Sequence, residues 1–157
     1  MLDFTSWSFG GRIVIFRVIM NEKLPGERTS IFDGDGNRLN VSRLKTGGED
    51  KPPLPEEFTF PVPPSLLASY VERLAGDCDF MRVDFMWADG RLYACEMTTY
   101  PGSGYVRFTD PWVTDSFARS WDMKRSWFLS NAQPGWLGDY AGALLALDMV
   151  SPLSSAH

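Results

Sequence analysis

Read for its hydrophobic and polar positions, the chain changes period several times. Residues Trp7 to Met20 read as strand, Gly10-Gly11 turn, strand, with the β-branched and aromatic run Ile13-Val-Ile-Phe16 at the centre. Arg28 to Phe32 and Arg38 to Ser42 predict a second hairpin around Asp33-Gly-Asp-Gly-Asn37. Leu66, Leu67, Tyr70, Val71 and Leu74 fall at helical spacing between Pro64 and Gly76, so a helix is expected over 65–75. Phe80 to Trp87 and Arg91 to Thr98 alternate as two strands of a third hairpin. Phe117, Trp121, Met123 and Trp127 predict an aromatic-faced helix over 114–128, and an apolar stretch predicts another over 137–149. The expected fold is α+β: a mainly antiparallel sheet of five or six strands with helices packed on it. Residues 46–64 carry six of the eleven prolines and read as a connector inside one domain spanning 1–157.

The third hairpin carries charges near its middle. Arg82 and Asp84 share a face of their strand, and Glu96 and Thr98 share a face of theirs together with Leu92 and Ala94. A three-residue loop Ala88-Asp89-Gly90 would pair Trp87 with Arg91 and set Arg82 opposite Glu96. Asp84 and Glu96 would then be diagonal neighbours, roughly 7 Å apart at Cα, close enough to converge on a divalent cation. A two-residue turn would put them on opposite faces. The alternative is an Arg82–Glu96 ion pair on a wet face.

Composition narrows the chemistry. The net charge is −5, with no basic stripe to release counterions from phosphates, so nucleic acid is not an expected partner. The one histidine is His157, which removes triads and zinc sites built on histidine. Cys78 and Cys95 form no CxxC and read as buried thiols of a reducing, cytoplasmic compartment. No basic, apolar leader opens the chain and no apolar stretch is long enough to span a bilayer. The acidic turn at 33–37 suggests calcium, but the sixth and twelfth loop positions hold Arg38 and Leu44 instead of Gly and Glu, which favours a plain turn. Six Trp offer either core packing or stacking platforms.

Thr98-Thr-Tyr-Pro-Gly-Ser-Gly104 follows the hairpin directly, and such glycine-rich backbone can hold an anion. The run Met81-Arg-Val-Asp-Phe85, a hairpin, then Cys95-Glu-Met-Thr-Thr-Tyr-Pro-Gly-Ser-Gly104 resembles the C-terminal signature of ATP-grasp enzymes, including the D-alanine–D-alanine ligase type. It is more similar still to the TupA-like ATP-grasp family, linked to teichuronopeptide and cell-surface polysaccharide synthesis. Asp3-Phe-Thr-Ser-Trp-Ser-Phe-Gly-Gly11 and residues 64–75 resemble that family's preceding strand and helix. The resemblance implies ATP-dependent carboxylate–amine ligation through an acyl phosphate. It implies Mg²⁺ and ATP as cofactors, with Asp84, Glu96 and Thr98 as metal ligands and Arg82 on the transferred phosphoryl group. Gly102 and Ser103 would help bind a small-molecule or glycopolymer acceptor. Thr5 stands where the family has a lysine, and Lys23, Lys45, Lys51 and Lys124 occupy no phosphate-loop context. The resemblance therefore implies a C-terminal module partnered by a separate nucleotide lobe or by a second copy. The competing expectation is a non-catalytic carbohydrate- or protein-binding remnant of the fold.

Overall fold

The computed structural model describes residues 1–44 and 51–147. The start of the expected connector, 46–50, and the last two positions of the expected 137–149 helix lie outside them.

The apolar run Ile13-Val-Ile-Phe16 sits mid-sheet. Strand β1 (Leu2–Phe9) turns at Gly10-Gly11 into β2 (Arg12–Met20), which pairs with β3 (Arg28–Asp33) and then the two-residue β4 (Arg38–Leu39). Helix α1 (Pro64–Ala75) follows the proline-rich segment and leads into β6 (Phe80–Ala88) and β7 (Arg91–Thr98). The six strands lie in the order β4-β3-β2-β1-β6-β7, every pair antiparallel. A separate two-stranded ladder joins β5 (Arg43–Leu44) to β8 (Arg107–Phe108). This is an α+β fold.

Each face of the sheet has its own core. On one face Phe4, Phe16, Val18, Phe32, Val83 and Phe85 pack under Leu67, Val71 and Ala75 of α1. The proline-rich segment is more than a connector, because Leu54, only 2 % exposed, Val62 and the rings of Phe58 and Phe60 complete this core. On the other face Trp7, Ile15, Ile31 and Phe80 pack against Phe108 of β8 and Val113 and Phe117 of α2 (Pro111–Ser120). That cover stops part-way along the strands.

The expected 114–128 helix is three pieces. Asp110 caps α2 by accepting from the Trp112 backbone N–H at 2.8 Å, so the helix starts early, at Pro111. It ends where Trp121 turns extended and donates its indole N–H to Asp79 at 2.8 Å. Asp122 then caps a 3-10 turn over Met123–Arg125, and Ser126 caps the four-residue α3 (Trp127–Ser130). Helix α4 (Trp136–Ala146) begins one residue before the expected start and buries only Ala141. Trp127 is 70 % exposed, so the expected aromatic face is not a core face at that end. The Asp33–Asn37 turn is closed by Asp33 itself, whose carboxylate accepts from the Asp35 and Asn37 N–H groups and the Asn37 amide. Cys78 is half-buried and Cys95 exposed, so the pair are not buried thiols.

Candidate functional site

The charged hairpin is closed by two residues, not three. Asp89 and Gly90 both adopt positive φ, 51° and 72°, and Ala88 pairs with Arg91. This corrects the expected register. By itself it would send Glu96 to the α1 face, with Leu92 and Ala94. A β-bulge prevents that: Phe85 pairs with Ala94 and Asp84 with Glu96, leaving Cys95 as the extra residue. Glu96 and Thr98 are thereby rotated onto the face of Asp84 and Arg82. The two carboxylates are direct cross-strand partners rather than diagonal ones, and Arg82 faces Thr98. The expected grouping of Leu92 and Ala94 with Glu96 and Thr98 does not hold, because the bulge divides the strand.

Arg82 ties the group together. Its Nε and Nη2 donate to the two Asp84 oxygens at 3.0 and 2.6 Å, and Nη2 also reaches Glu96 Oε2 at 2.9 Å. The Thr98 hydroxyl donates to the other Glu96 oxygen at 2.5 Å. Burial raises Asp84 above the ordinary aspartate range; Arg82 pulls it back and Glu96 pushes it up again. The Arg82–Glu96 ion pair of the alternative is thus present and extended to Asp84, but Arg82 and Asp84 are half-buried rather than on a wet face.

Strand pairing sets this cluster in a row. Arg17 of β2 pairs with Thr5 of β1, Thr5 with Asp84, and Asp84 with Glu96. Beside the row the sheet face opens into a cavity of about 310 Å³, lined by Arg17, Asp3, Arg43, Arg82, Asp84 and Glu96 among others. The short β5–β8 ladder brings Arg43 over this face. Arg43 also reaches the glycine-rich turn, since a β-carbon on Gly102 would stand 3.7 Å from its Nη2. In that turn Gly102 and Ser103 both hold left-handed backbone and are exposed, outside the cavity wall.

No family model, curated protein or solved structure matches this chain. Among the described residues no group of three or more His, Cys, Asp or Glu forms a metal cage. Magnesium does not need one: it keeps waters, takes one or two carboxylates, and draws its other ligands from substrate phosphates. Asp84 and Glu96, with the Thr98 hydroxyl beside them, fit that share once Arg82 turns to another anion. No helix among the described residues is long and apolar enough to cross a membrane.

Arg17 and Arg43 escape a motif-based reading of the sequence, and Asp3 enters it only as the first residue of the run to Gly11, with no role of its own. Arg17 did leave a signal, as the one charge inside the apolar run Ile13 to Met20. Arg43 left none, because only the β5–β8 pairing places it.

Proposed function

We propose that the open half of this sheet face is a magnesium–phosphate site. The chain then supplies the metal-holding part of an ATP-grasp-type, ATP-dependent carboxylate–amine ligase of cell-surface polysaccharide or peptide-conjugate biosynthesis. One observation carries the reading: a β-bulge is spent on bringing Asp84 and Glu96 together beside Arg82, on the wall of an open cavity. A bulge re-aims side chains at the expense of ladder hydrogen bonds, a common arrangement next to active sites. Asp84 and Glu96 hold the metal, and Thr98 orients Glu96. Arg82 offers its guanidinium to the phosphoryl group. Magnesium held there supplies charge neutralisation of the phosphate oxygens. A cavity of about 310 Å³ suits phosphates better than a whole nucleotide, so a second lobe or a second copy would hold the base.

Calorimetric titration with Mg·ATP tests this. Heat is expected from the wild type and is lost in Asp84→Asn and Glu96→Gln. Arg82→Met should keep Mn²⁺ binding, with its competing cation gone, yet lose the phosphate. A silent wild type, or an unchanged Asp84→Asn, removes the proposal.

A second reading, a non-catalytic carbohydrate- or protein-binding domain, draws on Trp127 and Trp136, which are 70 % and 72 % exposed. Tryptophan quenching by oligosaccharide in a protein silent to Mg·ATP would favour it.

A further inference from the structure

Three side-chain atoms are buried without a hydrogen-bond partner among the described residues: Arg17 Nε, Arg43 Nε and Asp3 Oδ2. All three belong to residues lining the cavity beside Asp84 and Glu96, and Arg17 and Arg43 also line a second, of about 170 Å³, with Glu22, Glu27 and Lys51. Buried polar atoms are nearly always paired, and a guanidinium cannot shed its proton to escape the cost. Two orphaned guanidinium donors at one cavity therefore need a common explanation.

The neighbouring charges do not provide it. The acidic groups at the cavity are Asp3, Glu22, Asp84 and Glu96; the basic ones are Arg17, Lys23, Arg43 and Arg82. Asp84 and Glu96 are taken up by Arg82 at 2.6 and 2.9 Å. No ion pair within 4.0 Å joins Arg17 or Arg43 to Asp3 or Glu22 among the described residues. Burial and the facing Arg43 both push the Arg17 guanidinium toward its neutral form, outweighing the pull of Glu22 and Asp84. Two like charges held together with donors unspent form a receptor for an oxyanion.

We propose that Arg17 and Arg43 form an oxyanion subsite, taking a carboxylate or phosphate group of a bound ligand. Its distance from the carboxylate pair follows from the strands. Arg17 lies two strands from Asp84 in one cross-strand row, roughly 10 Å at about 4.8 Å per strand. Only the small Thr5 stands between them. A ligand held at the subsite thus lies along the sheet toward Arg82. Arg43 is fixed by its pairing with Phe108 and leans toward Gly102, so the subsite also borders the glycine-rich turn.

The subsite stands on its own donors. Only the identity of its anion as ATP phosphate or acceptor carboxylate rests on the ligase reading. The test is run without nucleotide in metal-free buffer from which the chelator has been removed, so the metal site takes no part. Thermal unfolding of the full chain is followed against inorganic phosphate, tripolyphosphate and glutarate, with chloride matching ionic strength. Oxyanions should raise the wild-type Tm. Arg17→Met should unfold at a higher temperature than wild type in plain buffer, because a half-buried guanidinium with an unpaired Nε is gone, and should bind the anion roughly tenfold more weakly or worse. Arg43→Met should show the same weakening and decides the matter if Arg17→Met does not fold. Preference for the phosphates marks a nucleotide-phosphate subsite, and preference for glutarate an acceptor subsite; either supports the proposal. No oxyanion effect beyond chloride overturns it. So does an effect that survives both substitutions, or an Arg17→Met that folds but is less stable than wild type, which would mark a structural arginine.

Discussion

Asp3 and Asp84 are two carboxylates held above their ordinary range, in both cases because burial penalises the charged form most. For Asp3 the nearby Glu22 adds to this; for Asp84, Arg82 opposes it without winning. The sign of the consequence is fixed by linkage. A raised aspartate keeps its proton in the folded chain at a pH where the unfolded chain, with a pKa of about 3.9, has lost it. Through that window the folded state binds more protons, so these groups make stability fall as pH rises. Acid unfolding of proteins with paired carboxylates runs the other way. Urea midpoints in EDTA, measured upward from pH 4, should therefore decline in the wild type and flatten in Asp3→Asn. A rise over the same window would show that pairing, not burial, governs both groups. None of this could be read from the sequence, where Asp3 only opens the strand-like run to Gly11 and its burial depends on strands brought together from residues 12–20 and 80–88.

The element that decides the site is the hairpin of β6 and β7, and the sequence was legible there up to a point. Asp84 and Glu96 are an even number of positions apart, whereas a plain two-residue hairpin pairs residues an odd number apart. One odd residue was needed, and alternation exposed that need. Local propensity assigned it to the loop, where Ala88-Asp89-Gly90 would serve. The chain instead closes with Asp89-Gly90, which suits positive φ at both positions, and spends the odd residue at Cys95. Nothing about Cys95 announces a bulge, because its cause is the pairing of strands and not its side chain. Deleting Cys95 should straighten β7 while keeping Phe85 opposite Ala94 and Asp84 opposite Glu96, because the extra residue itself is removed. Arg82 should keep both carboxylate partners, and urea denaturation should register a change of no more than about 1 kcal/mol. A loss of about 3 kcal/mol or more would mean that the deletion shifts the register and strands the Glu96 carboxylate on the α1 face. The 114–128 segment failed for a related reason: its periodicity was helical, but Asp122 and Ser126 cap backbone N–H groups locally and divide it.

At the scale of the molecule, the sheet has two covered faces of unequal kind. One is closed by α1 and the proline-rich segment, the other half closed by α2 and β8. The proline content of 46–64 hid its contribution, since prolines signal irregular backbone and say nothing about burial. Leu54→Ala should cost about 2–4 kcal/mol in chemical denaturation, the loss expected of a core leucine and far above that of a loop residue. A cost under about 0.5 kcal/mol would return the segment to a surface connector.

The displaced residue at Cys95 has one more effect, on what the sheet does to its surroundings. Strand β7 is the last in the order, and an outer strand with a free row of N–H and C=O groups invites another chain to add to it. The opposite border is only the two-residue β4. A kink in β7 breaks the regular spacing that an incoming strand would have to match. The same irregularity that faces Glu96 toward Asp84 thus leaves the sheet with no long, straight border among the described residues, and guards the chain against growing into stacked aggregates.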